Sequence, residues 1–228
     1  MKFRTLTAAA GALAMTAVLA PTAHGVDDPG RIVGGSVSTQ DPGAASLHVV
    51  IEGQVTFWCS ASVLDANSIL TAAHCVDQKE DHVRVGSLNK FSGGTKHRVS
   101  KVAAHPSTDL AVLTLATPIA NPKTVRLATT NPSVGDTNTL YGWGGTTPSG
   151  TNDSPVLKQA NVPVTNVSRG YITSGVGNGY AIFGDSGGPQ FDRAGNQVGV
   201  CSGGHPGEDQ SYVSVSDHLG WIKSNAGL

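Results

Sequence analysis

Short apolar runs recur along this chain, each closed off by a cluster of turn-forming residues, and that rhythm limits what it can fold into. The runs fall at residues 47–51, 62–71, 83–85, 110–115, 137–141, 197–201 and 211–215. Between them stand clusters such as Asp41-Pro42-Gly43, Ser92-Gly93-Gly94 and Pro148-Ser149-Gly150, which read as turns between strands. A βαβ sheet needs helical stretches of about 10–15 residues alternating with its strands, and the chain has none. Only residues 216–224 read as helical: Ser216 and Asp217 can cap them, and Leu219 and Ile222 share a face. The expectation is an all-β protein with a terminal helix, without internal repeats or low-complexity tracts.

The N-terminus reads as an export signal rather than as part of the fold. Lys2 and Arg4 precede an apolar stretch over residues 6–20, and Ala23-His24-Gly25 sets small residues where a signal peptidase reads. About 15 apolar residues are too few to span a bilayer comfortably. Removing a signal at 1–25 and a short segment at 26–31 leaves enough chain for one large β domain or two small barrels. Net charge is −1, only 14% of residues are charged, and basic residues never cluster. That argues against nucleic acid or an anionic membrane as partner. In an exported chain a disulfide is plausible, and of three cysteines Cys59 and Cys75 flank a strand-turn-strand pattern and are the natural pair. Cys201 ends the apolar run Val198-Gly199-Val200 and reads as a buried small hydrophobe.

Three segments carry chemistry. Gly184-Asp185-Ser186-Gly187-Gly188-Pro189 can turn tightly enough to aim the N–H groups of Gly184 and Ser186 at one point. A serine hydroxyl becomes a useful nucleophile only with a base beside it and donors facing the developing oxyanion. Taken alone, the segment could also be a glycine-rich turn. Thr71-Ala72-Ala73-His74-Cys75 puts an imidazole at the end of an apolar strand, and Asp109 heads Leu110-Ala111-Val112-Leu113. Each could be structural. Together they could form a base whose ring a carboxylate holds in one tautomer.

With Gly142-Trp143-Gly144 between them, these segments resemble the trypsin/chymotrypsin family over nearly all of residues 32–228, in particular its secreted bacterial, actinomycete-type members. The order His74…Asp109…Ser186 matches, as do Ser202-Gly203-Gly204 and the Tyr212…Trp221 spacing. The resemblance implies a chymotrypsin-like fold: two six-stranded antiparallel Greek-key barrels, at about 32–125 and 126–215, and a C-terminal helix at about 216–226. It implies a serine endopeptidase with His74, Asp109 and Ser186 catalytic, Gly184 and Ser186 forming the oxyanion hole, and no cofactor. Arg31-Ile32-Val33-Gly34-Gly35 resembles the family's activation site. Cleavage after Arg31 would free the Ile32 amine to pair with Asp185.

The chain departs from the family at the substrate pocket, for which Tyr180, Ala181, Ser202, Gly203 and Gly204 are the candidates. Tyr180 replaces the acid that marks a preference for Arg or Lys, so a separate trypsin-like protease is the expected activator. Gln210 lies near the place where a substitute acid can occur. Gly203 replaces a tryptophan, which opens the cleft, and Ser87 takes the first-ligand position of calcium-binding relatives, so no metal is expected. Protein or peptide is the expected substrate and a monomer the default state. The alternatives are an esterase on the same fold and a secreted binding protein with weak catalysis.

Overall fold

The computed structural model describes residues 1–2 and 32–228. Apart from Met1 and Lys2, the expected export signal lies outside the described residues, and so does the 26–31 segment with Arg31. The first strands are β1 (Ser36–Val37), β2 (Ala44–Ile51), β3 (Gln54–Val63), β4 (Ser68–Thr71) and β5 (Glu80–Val85). Next come β6 (Thr95–His97), β7 (Val99–Ala104), β8 (Ala111–Leu115), β9 (Arg126–Leu127) and β10 (Thr137–Gly142). The rest are β11 (Lys158–Ser168), β12 (Tyr171–Ser174), β13 (Pro189–Phe191), β14 (Asn196–Gly204), β15 (Gln210–Ser214) and the helix α1 (Leu219–Ala226).

Two sheets result. One runs β6-β5-β2-β3-β4-β8-β7 in antiparallel pairs. The other runs β1-β11-β10-β13-β14-β15-β12, and β12 pairs back with β11, closing β10 to β15 into a six-stranded barrel. The two-residue β9 adds a parallel pairing to β14. The chain therefore has the expected chymotrypsin-like, mostly β architecture, with seven strands in the pairing path of its first sheet.

Side-chain alternation explains the cores. On β3, Cys59, Ala61 and Val63 point inward against Leu47, Ile69, Val83 and Leu113, as a period of two requires. β2 is buried on both faces from Ala44 to Val49, since Ala44 on its other face joins Phe57, Trp143 and Leu157. β11 has no apolar run, yet Ala160, Val162 and Val164 are buried while Asn161 between them is exposed. Its outward polar residues hide it from a search for continuous hydrophobicity. The edge strand β7 is mostly exposed and hides for the same reason.

The helix begins later than its sequence suggests, with His218 at the N-cap and no side-chain cap. Ser216 and Asp217, the expected caps, both turn to Asn131 instead: the Ser216 hydroxyl donates to Asn131 Oδ1 at 2.9 Å, and Asp217 Oδ1 accepts from its amide at 2.9 Å.

Cys59 and Cys75 form a disulfide across a separation of 16 residues, and Cys201 is free and buried. Closing a loop of that length restricts the unfolded chain by about 3 kcal/mol. The double variant C59A/C75A should lose stability of about that size, read from the urea midpoint together with the m-value, which should rise as the unfolded chain expands. An unchanged midpoint would show that the bridge only positions its neighbours.

Candidate active site

The first sheet supplies an imidazole and a carboxylate. β4 delivers the chain to a 3₁₀ turn, Ala73–Val76, that carries His74; the disulfide fixes the next residue, Cys75, which is buried. Asp109 stands just before β8. Its carboxylate accepts the His74 Nδ1–H at 2.8 Å, the His74 backbone N–H at 2.9 Å and the Ser202 hydroxyl at 2.6 Å. Burial pushes the Asp109 pKa up, but the hydrogen bonds from His74 and Ser202 outweigh it and hold the group below its ordinary value. The bond to Asp109 raises the His74 pKa, against the effect of burial. Nδ1 is thereby committed, and Nε2 lies 3.8 Å from Cys75 Sγ.

The second barrel supplies the serine turn. Asp185 N–H donates to Ile182 O at 2.8 Å, Gly187 N–H to Cys201 O at 2.7 Å and Gly188 N–H to Asp185 O at 2.9 Å. Among the described residues the Gly184 and Ser186 amides have no such backbone acceptor. Gly184 has φ +91°, a region that favours glycine. A Cβ there would also come within 2.9 Å of the Phe57 ring and 3.0 Å of the Gly144 α-carbon. Ser60, fully buried within the first sheet's longest strand, fastens the turn across the interface. Its amide donates to Ser186 O at 2.9 Å, and its hydroxyl to Gly184 O at 2.9 Å.

The Asp185 side chain points away from the cleft and is 1% exposed. It accepts from Gly144 N–H at 2.8 Å and from Ile182 N–H at 2.9 Å. Burial nevertheless pushes its pKa up to about 7. Ile32 is fully buried in one cluster with Ala181, and Val33 bridges to Tyr180.

His74 and Ser186 line one cleft of about 430 Å³, together with Ala181, Ile182, Phe183, Cys201, Ser202, Gly203, Gly204, His205, Pro206 and Gln210. Of the pocket candidates, Tyr180 lies elsewhere: it is held by Val33 and is not in the lining. Gln210 lines the cleft instead, with its amide nitrogen donating to His205 O and Glu208 O at 3.0 and 2.9 Å. A Cβ on Gly203 would meet nothing within 4 Å. Sequence reading missed Ser60, because nothing local ties it to a turn 124 positions away. Donor atoms of Cys59, His74 and Cys75 converge, but both sulfurs are spent in the disulfide.

A serine-bearing turn on one sheet and an imidazole–carboxylate pair on the other meet at one cleft, an arrangement that fits a serine endopeptidase. The Trypsin family profile matches residues 32–222, and the chain belongs to that family. It is 32% identical to Trypsin CFT-1 of Choristoneura fumiferana, over 86% of this chain and 91% of that one. It is 32% identical to a trypsin-like protease of Streptomyces glaucescens, over 86% and 82%. Insect and Streptomyces relatives match at the same identity, so the likeness is to the family at large and not specifically to its actinomycete members. Among solved structures, neuropsin, a serine protease of mouse brain, superposes with a TM-score of 0.76 at 25% identity, covering 85% of this chain and 99% of that one. An inactivated protease paralogue of the scabies mite reaches 0.76 at 25% identity, over 86% and 97%.

An imidazole acting as base must be neutral. Because His74 titrates above its ordinary 6.5, kcat/KM should fall as pH drops through a pKa above that value. Asp109→Asn removes the interaction that raises it, so the acid limb should move to lower pH. The same change should cut kcat by about 10⁴, a magnitude drawn from this family itself. An acid limb that stays put in Asp109→Asn would assign it to another group.

Proposed function

We propose that this chain is an exported protease precursor, activated by cleavage after Arg31, that hydrolyses peptide bonds through an acyl-enzyme on Ser186. The observation that carries this reading is the 2.8 Å bond from His74 Nδ1–H to Asp109, made beside a cleft that His74 shares with Ser186. Ser186 Oγ attacks the carbonyl carbon as His74 Nε2 takes its proton. Asp109 holds the ring and stabilises the imidazolium, and the Gly184 and Ser186 amides receive the oxyanion. His74 then protonates the leaving amine, and water deprotonated by His74 releases the acid. One oxyanion donor is worth about 3 kcal/mol in this class of site. His74→Ala and Ser186→Ala should each lower kcat by about six orders of magnitude. Retained turnover in either would refute the assignment.

Among the described residues no Asp or Glu lines the cleft, which supports cleavage after uncharged rather than basic residues. A separate trypsin-like enzyme then has to cut after Arg31. Two features support activation at this bond. Asp185 is sealed from water with only amide donors on its carboxylate, and a buried anion seeks a cation. Ile32 is β-branched yet sits at φ +52° in the uncut chain, a strained conformation costing about 1–3 kcal/mol. Cutting the bond before Ile32 abolishes that dihedral and creates an ammonium in a buried position.

The sign of the pH dependence follows. The folded pKa of Asp185 is raised, so the stability it contributes is fully present below the ordinary carboxylate value of 3.8 and is lost as pH rises through about 7. A docked Ile32 ammonium favours the anion and removes that loss. An uncleavable Arg31→Gln protein should therefore lose more stability between pH 4 and 7 than the trimmed form, by urea denaturation, and should hydrolyse peptides far more slowly. Equal activity in the two forms would end the activation proposal.

A further inference from the structure

One buried ammonium group has no part in the proposed chemistry. Lys90 lies in the loop between β5 and β6 and is 0% exposed. Its Nζ donates to the Trp143 carbonyl at 3.3 Å and pairs with the Asp153 carboxylate. It also lies over the Phe57 ring, 3.8 Å from the centroid, where a cation is attracted to the π face. Enclosing an ammonium this way costs several kcal/mol unless its partners repay it.

Its partners form the back of the serine turn. The Phe57 ring abuts Gly184, as does the Gly144 α-carbon. Gly144, next to the carbonyl that Lys90 holds, donates its N–H to Asp185. Gly145 N–H donates to Phe183 O at 2.8 Å. Docking of the loop itself does not need the ammonium. Lys90 N–H donates to Pro155 O at 3.0 Å, Leu157 N–H to Leu88 O at 2.7 Å and Trp143 Nε1–H to Leu88 O at 2.9 Å. The charge is thus surplus to holding the loop in place and is aimed at the peptide that holds Asp185.

We propose that Lys90 is a positioning residue for oxyanion binding. Its ammonium clamps the Trp143–Gly144 peptide and the Phe57 ring, and through them fixes where the Gly184 and Ser186 amides point. The inference rests on the oxyanion role proposed for those two amides. A misplacement of about 1 Å in such a site can cost about a hundredfold in rate, whereas ground-state binding of a peptide also draws on the rest of the cleft lining, from Ser202 to Gln210.

The test compares wild type with Lys90→Met, which keeps the volume and removes the charge, and with Asp153→Asn. The Asp153 side chain is 47% exposed, so water can take over its solvation in Lys90→Met and the fold should survive. Three quantities are read on the trimmed proteins: kcat and KM on a peptide ester, inhibition by a peptidyl aldehyde, whose adduct puts an oxyanion in the site, and binding of the matching peptidyl alcohol. For Lys90→Met, kcat should fall about 10- to 100-fold, with aldehyde affinity falling in parallel. KM and alcohol affinity should stay within about twofold. Asp153→Asn should shift the same quantities in the same direction by less. An unchanged kcat, or equal weakening of aldehyde and alcohol, overturns the proposal. If Lys90→Met does not fold, Asp153→Asn decides by the same two criteria. Wild type that a phosphonate serine probe fails to label sinks the hydrolase reading and this role with it. A labelled wild type with an unaltered Lys90→Met sinks this role alone.

Discussion

A carboxyl group shut away from water has to be matched by donors or by a cation, and the serine turn of this protein is built around that requirement. Asp185 is almost wholly enclosed, and its two oxygens are taken by the amides of Gly144 and Ile182. Those bonds tie the residue before Ser186 to the middle of the chain on one side and to the cleft wall on the other. The direction of the Gly184 and Ser186 amides is set by this tie and by Ser60, which grips the carbonyls flanking Asp185. Two amide donors do not cancel the cost of burial, which still pushes the Asp185 pKa up to about 7. The turn is therefore assembled but electrostatically unfinished, and Ile32 lies in the same core cluster as its neighbour Ala181.

Much of this was legible along the chain because the chemistry is carried by short local motifs. The glycine-rich hexapeptide, the strand-end histidine beside a cysteine and the acid heading an apolar strand can each be picked out without neighbours. Strands with continuous apolar runs were legible too, because burial on both faces writes itself as an unbroken stretch. β11 was not, since it buries alternate residues and presents polar ones between them. The expected caps of the helix failed for a tertiary reason: Asn131, 85 and 86 positions earlier, draws Ser216 and Asp217 to itself.

What stayed hidden is held by contacts between distant segments. Ser60 meets Gly184 across 124 positions, and Lys90 meets Asp153 across 63. A lysine among Ser, Asn and Gly residues reads as a solvated turn, yet it is sealed beneath two aromatic rings. Tyr180 occupies the place where a specificity residue was expected, but it forms an isolated β-bridge with Val33 and is not in the lining. Pairing of β14 with β15 sets Gln210 against Gly204, and so the amide rather than the phenol faces the cleft.

The hydrogen bond from Ser202 to Asp109 joins the two sheets through the same carboxylate that holds His74. Relative slip of the sheets therefore detunes the imidazole directly, without unwinding a single strand. Such a molecule gauges its own integrity: mild heat or denaturant that merely loosens the seam would silence turnover while circular dichroism still reported native β content. Its working range is then narrower than its melting range, with the gap set by how firmly one sheet sits on the other.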